Sequence, residues 1–309
     1  MNNIYKNINK DKKDSFLEKI RLFFNETFKF SVTNLTLSGI LVAFYMIYSA
    51  IFKLTILRFI PLELEYIFYI FFGIILGPFK GAVLAIIADT LGLLLTGKIG
   101  TWYYLYALIP PAIAILSSLY YSLLNRSKII KIILPFIVIT LATIIILYIF
   151  FTQVTYDENN KIIFSTKGIS QKVRRDWQNI SWFAILALVC LYLFLMLVAT
   201  ILLIIFSFKK KNERILNYLF ILSLVTLIVI IFRWVLGPIT YISWFNYFYR
   251  LNPNKKLKSI GVDYLIYFVP IIIKSLISIP ILTLLLTPVF SVIKHILQNQ
   301  INNNQKIVY

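Results

Sequence analysis

Residues 177–208 read WQNISWFAILALVCLYLFLMLVATILLIIFSF, 32 positions without one charged side chain. A helix needs only about 20 apolar residues to cross the hydrocarbon core of a bilayer. Further uncharged runs occupy 30–52, 66–79, 99–125, 132–156, 215–232, 234–249 and 275–293. Over all 309 residues, 60% are hydrophobic and 14% charged, against about 45–50% and about 25% in soluble domains. A single water-soluble domain of this length cannot bury that much apolar surface. A soluble enzyme, a disordered chain and a collagen-like fibre are excluded. The pattern predicts an all-α polytopic membrane protein.

Eight spans are predicted, at about 33–53, 63–79, 81–97, 102–124, 130–152, 182–208, 214–236 and 264–293. The segment before them, 1–32, is basic. Within it Ser15 and Glu18 have capping-box spacing, and Phe16, Leu17, Ile20, Phe23, Phe24 and Phe28 recur at helical intervals, as in a helix lying on the cytoplasmic membrane surface. With the N-terminus inside, 17 of the 31 Lys/Arg fall on cytoplasmic segments and twelve outside. Nine of those twelve sit in the two longer outside loops, 153–181 and 237–263, and long loops weigh little in the positive-inside rule. A multi-pass protein of the cell membrane is expected, with both termini, including the tail 294–309, in the cytoplasm. The net charge of +19 follows the flanks of apolar runs, so its partner is anionic lipid rather than nucleic acid. The single cysteine, Cys190, lies in an apolar run and His295 at the basic C-terminal end; no disulfide framework and no metal site follow from them.

Three charges fall inside predicted spans: Asp89, Arg233 and Lys274. A charge at membrane depth costs at least about 2.5–3.5 kcal/mol on insertion scales, so it faces a polar cavity, a partner or function. Arg233 is near the outer end of its span, where snorkelling would serve it. Lys274 is deeper, between Pro270 and Pro280; it either pairs with Asp89 or meets an anionic ligand. Asp89, between Ala88 and Gly92, is expected to bond across spans two to four. No phosphate-binding G-x-x-x-x-G-K-[ST] loop occurs, and no H-E-x-x-H, G-x-S-x-G or G-x-G-x-x-G string. Asp89 has no second acid within eighteen residues, and Glu65 stands at the far end of the preceding span. An intramembrane enzyme therefore lacks its constellation. No enzyme, cofactor or metal is expected.

The densest signal is Gly77-Pro78-Phe79-Lys80-Gly81-Ala82, followed by Ala88-Asp89-Thr90-Leu91-Gly92. Gly77-Pro78 predicts a tight turn between antiparallel helices. Gly81, Ala85 and Ala88 offer small residues for close packing. This string resembles the junction of the second and third spans in the S components of energy-coupling-factor vitamin transporters, their membrane-embedded substrate-binding subunits. Gly39-Ile-Leu-Val-Ala43 is similar to the A-x-x-x-A docking motif of those subunits. Pro270-Ile-Ile-Ile-Lys274-Ser-Leu-Ile-Ser-Ile-Pro280 is similar to the final helix of the folate-type members. The resemblance covers 33–124, as spans one to four, and 213–293, as spans five and six. Between them, 125–212 reads as an inserted helix pair with the outside loop 153–181.

As the resemblance implies, the chain would bind a water-soluble vitamin in an outward-facing cavity. It would deliver the vitamin within a complex with a transmembrane coupling subunit and two ATP-binding subunits. Gly39, Ala43, Gly81 and Ala85 would dock the coupling subunit. Gly77, Pro78, Asp89 and Gly92 would form the structural motif. Lys53, Arg58, Arg233 and Lys274 would supply cations, with Tyr241 and Trp244 drawn from the aromatic run 241–249. Cations attract carboxylates and aromatic faces stack on a flat heterocycle, and folate has both features. Riboflavin or a queuosine precursor is an alternative ligand; an ion-coupled secondary transporter, or a structural membrane protein, is an alternative function. The aromatic run also fits an interfacial belt with basic anchors.

Overall fold

The computed structural model describes residues 32–54, 64–125, 130–153, 155–156, 162–163, 182–210, 213–252 and 254–306. The predicted surface helix before Val32, Arg58 and most of the loop 153–181 lie outside them. The elements are α1 (Val32–Leu54), α2 (Glu65–Leu76), α3 (Pro78–Leu95), a 3-10 turn (Ile99–Thr101), α4 (Tyr104–Ala107), α5 (Ile109–Asn125), α6 (Ile130–Gln153), α7 (Trp182–Lys210) and α8 (Glu213–Ile228). A π-helical turn (Val229–Val235) then leads into α9 (Leu236–Tyr249), and α10 (Ile260–Lys306) follows. One minimal β pair, β1 (Thr155–Tyr156) with β2 (Ile162–Ile163), is antiparallel in the loop after α6.

The multi-pass helical reading is met. Five stretches among the described residues are long and apolar enough to cross a membrane: Asn34–Leu54, Pro78–Leu95, Tyr104–Leu123, Ile215–Tyr249 and Ile277–His295. The other three predicted spans correspond to shorter apolar stretches, Glu65–Leu76, Ile133–Ile144 and Leu193–Phe206. The 12 residues of α2 rise only about 18 Å at 1.5 Å per residue, because the turn that follows cuts the helix short.

Gly77 makes that turn with φ +83°, which residues bearing a Cβ adopt at a cost. Pro78 opens α3 rather than closing α2, as suits a residue with no N–H to satisfy at a first helical position. The two helices then run back to back at almost no separation. A Cβ on Gly81 would lie 2.5 Å from the carbonyl oxygen of Phe72, and one on Gly73 would lie 2.0 Å from that of Ala114 on α5. Backbone meets backbone across α2, α3 and α5.

The rest of the molecule gathers round α8, which lies against α6, α7 and α10. Its face Leu219, Ile221, Leu224, Val225 and Ile228 is sealed from solvent. The inserted pair α6–α7 packs on this side of the bundle, and Leu191, Phe194, Leu195, Ile201 and Ile205 of α7 face outward, as a lipid-facing surface does. Gly73→Ala and Gly81→Val are each expected to cost about 1–3 kcal/mol through overpacking. Gly39→Ala, inside α1 where nothing stands within 4 Å, is expected to raise the stability of the detergent-solubilised protein by about 0.4–1 kcal/mol, read by thermal unfolding.

Candidate functional site

Three helices carry polar side chains at four-residue spacing, so that each set lies on one stripe. On α1 these are Tyr45, Ser49 and Lys53; on α2, Glu65 and Tyr69 run on to Gly73; on α3, Gly81 and Ala85 lead to Asp89. The stripes converge at the end of α2 and α3 away from the Gly77 turn. The Tyr69 hydroxyl donates to Asp89 Oδ1 at 3.0 Å, lies 3.4 Å from Glu65 Oε2, and shares a 3.1 Å hydrogen bond with the Tyr45 hydroxyl. Lys53 Nζ pairs with Glu65 Oε1 at 3.0 Å. Gly92 leaves room for the Tyr45 ring, since a Cβ there would stand 3.0 Å from its hydroxyl.

This network forms one wall of a cavity of about 640 Å³, within the usual range of about 300–1,000 Å³ for small-molecule sites. The opposite wall comes from the π-turn, α9 and α10. Tyr267, Ile271 and Lys274 share one face of α10 and line it, as do Arg233, Tyr241 and Trp244. Trp102 and Tyr103 close the side between α3 and α5. None of the described lining residues belongs to α6 or α7.

The π-turn explains Arg233. A π-helical turn inserts an extra residue into the helical repeat and re-aims the side chains around it. Arg233 is 5% exposed and donates from Nη1 to Ser278 Oγ at 3.1 Å, so the expected snorkelling does not occur. Trp234 next to it donates to Ser275 Oγ at 3.0 Å and accepts at its carbonyl from the Tyr264 hydroxyl at 2.8 Å. Ser275 and Ser278, one and four residues after Lys274, tie α10 to the turn.

The structure therefore brings Lys53, Arg233, Tyr241, Trp244 and Lys274 to one cavity; Arg58 lies outside the described residues. Asp89 does bond from the third span to the second, as expected. It does not pair with Lys274: the one ion pair among the described residues of the cavity is Lys53–Glu65. Lys274 instead keeps an exposed side chain at the cavity. Gly81 and Ala85 cannot dock another subunit, because both are buried against this chain's own helices. Gly39 and Ala43 do lie on an exposed face of α1.

Sequence reasoning set Glu65 aside as remote, yet it meets Asp89 through Tyr69. The four-residue step Glu65, Tyr69, Gly73, Gly77 was the available signal. Lys258 was missed altogether. Its ammonium sits 4.0 Å from the Phe245 ring centre, 4.5 Å from Tyr267 and 4.8 Å from Tyr241, and it donates to the Tyr267 hydroxyl. Asn246 holds the same residue by both backbone groups, donating to the Lys258 carbonyl at 2.7 Å and accepting from its N–H at 2.8 Å. Burial pushes the Lys258 ammonium below the ordinary lysine range and Lys255 adds to this, while Asp263 opposes it. Of the run 241–249, Tyr241 and Trp244 turn to the cavity, Phe245 turns to Lys258, and Tyr247 and Phe248 are exposed.

No protein-family model, curated protein or solved structure matches the chain.

The wall built from α9 and α10 thus packs a loop lysine among three of its rings. Lys258→Ala is expected to lower stability by about 1–2 kcal/mol, the range of a partly desolvated cation–π contact. Lys258→Arg should retain most of it, since a guanidinium stacks on the same faces. Thermal unfolding of the purified protein distinguishes the two.

Proposed function

We propose that the chain is the substrate-binding membrane subunit of an importer of the energy-coupling-factor kind, taking up a flat, carboxylate-bearing, water-soluble vitamin for which folate is the best chemical match. The observation that carries the reading is that Lys53, Arg233, Lys274, Tyr241 and Trp244 line one and the same cavity. Lys274 supplies a cation for a carboxylate, and the rings supply faces for a heterocycle. The described lining residues all fall in segments that the resemblance assigns to the six-span core, and none of them in the inserted pair. With both termini cytoplasmic, the cavity opens outward. The exposed Gly39 and Ala43 provide the face on which a coupling subunit, served by two ATP-binding subunits, docks. That division of labour accounts for a chain with no phosphate-binding loop of its own.

A second reading, an ion-coupled secondary transporter, gains from the meeting of Glu65 and Asp89 at one hydroxyl, since such carriers place ionisable groups near the bilayer midplane.

Purification from the native membrane, with identification of the co-purifying small molecule and proteins, tests the proposal. A carboxylate-bearing heterocycle and a coupling subunit are expected; a cationic or purely aliphatic solute refutes it. Lys274→Ala should weaken ligand binding by about 1 kcal/mol, the upper range for an ion pair at an exposed side chain, and leave the empty protein folded. Gly39→Leu combined with Ala43→Leu should abolish co-purification of the coupling subunit and spare ligand binding. ATP-dependent uptake that survives the double change removes the docking face from the proposal.

A further inference from the structure

We propose that Asp89 takes up a proton when the cavity binds an anion, so that anion binding by this chain is linked to protonation. The inference rests on the reading of the cavity as an anion site and adds to it a second, titrating ligand.

An ionised carboxylate has about four lone-pair directions to satisfy. Asp89 receives one hydrogen bond among the described residues, from the neutral Tyr69 hydroxyl at 3.0 Å. No Lys or Arg nitrogen of the described residues lies within ion-pair distance of it. Its neighbour differs in that respect, because Glu65 has its own counter-ion in Lys53 at 3.0 Å. Tyr69 cannot serve both acids. It carries one proton, and Asp89, Glu65 and the Tyr45 hydroxyl all lie within 3.4 Å of its oxygen. Two carboxylates on one hydroxyl, only one of them with a cation, is an arrangement that a single proton relieves.

The charged groups around Asp89 fix the direction of the linkage. Lys53 comes from α1, Glu65 from α2, Arg233 from the π-turn and Lys274 from α10; all line the same cavity. Lys53 is engaged by Glu65 and Arg233 is bonded to Ser278. A carboxylate that arrives at Lys274 adds a third negative charge near a carboxylate without a cation, and like charges oppose ionisation. The proton comes from bulk water to an Asp89 oxygen, and no other bond changes. Linkage is reciprocal: if the anion draws a proton to Asp89, a proton on Asp89 strengthens binding of the anion. The tyrosines that face the network from α2 and the segment before α5, Tyr66, Tyr103 and Tyr106, belong to a class that titrates near 10, above the range in which the linkage is sought.

The test uses the full chain in nanodiscs with folate as the probe over pH 6 to 7, where its carboxylates are ionised and its pterin ring is neutral. Folate affinity should fall as pH rises, by up to tenfold per unit above the Asp89 titration, and Asp89→Asn should flatten the profile. Mixing folate with the unaltered protein in weak buffer should remove close to one proton per anion bound, read with an indicator dye; this arm needs no variant. His295→Gln controls for the lone histidine, which sits at the opposite end of α10, and should leave the profile unchanged. Binding with no pH slope and no proton uptake overturns the linkage alone. A slope that persists in a folded Asp89→Asn protein does the same. Absence of folate binding at every pH overturns the reading of the cavity as a folate site, and the linkage with it.

Discussion

The contact on which the structure depends is the one with no side chain in it. At Gly73 the backbone of α2 rests on the Ala114 carbonyl of α5, and at Gly81 the backbone of α3 rests on Phe72. In a bilayer, where lipid tails are as apolar as leucine, close approach through small residues is a main source of helix association. The same contact sets the chemistry. Tyr69 lies one turn before Gly73 and Asp89 two turns after Gly81, so the backbone packing fixes where the two side chains can meet. Their 3.0 Å hydrogen bond follows from a distance already imposed.

Polar atoms in the spans are handled in two ways. Most hydroxyls bond back to a carbonyl within their own helix, as Thr226, Thr283 and Thr287 do at 2.7–2.8 Å. Others join different helices. Tyr120 bonds Ser223 at 2.7 Å, Asn217 bonds Ser291 at 3.2 Å, and Arg233 and Trp234 reach the serines of α10. These cross-helix bonds cluster on α8, the π-turn and α10, the last two of which form one wall of the cavity together with α9. That wall is therefore held by directional bonds, whereas the core of α2, α3 and α5 is held by backbone proximity.

The helices α6 and α7 lie beside α8 and away from the cavity. A helix pair placed between two halves of a chain can be accommodated in this way when its short connections leave it antiparallel and adjacent to the next helix.

Much of this was legible in the residues. Apolar runs of span length determined a multi-pass helical protein, because lipid offers no partner for an exposed backbone group and only internally bonded helices or closed barrels can cross it. Gly77-Pro78 determined the turn, because a positive φ and a missing N–H fit one geometry. Asp89, Arg233 and Lys274 declared themselves by their cost. Which of them would meet was not legible, since a stripe on one helix says nothing of the stripe it faces. Tertiary structure decided that Asp89 joins Tyr69 and Glu65 rather than Lys274. It turned Gly81 and Ala85 inward, against α2 and the chain's own core. It buried Arg233 through a π-turn that shifts the helical register by one residue, a change no apolar periodicity records. It also brought Lys258 from a polar loop into the rings of α9 and α10. Local sequence fixes which atoms are costly to bury in lipid; only the packing of helices distant in sequence fixes which atoms satisfy them.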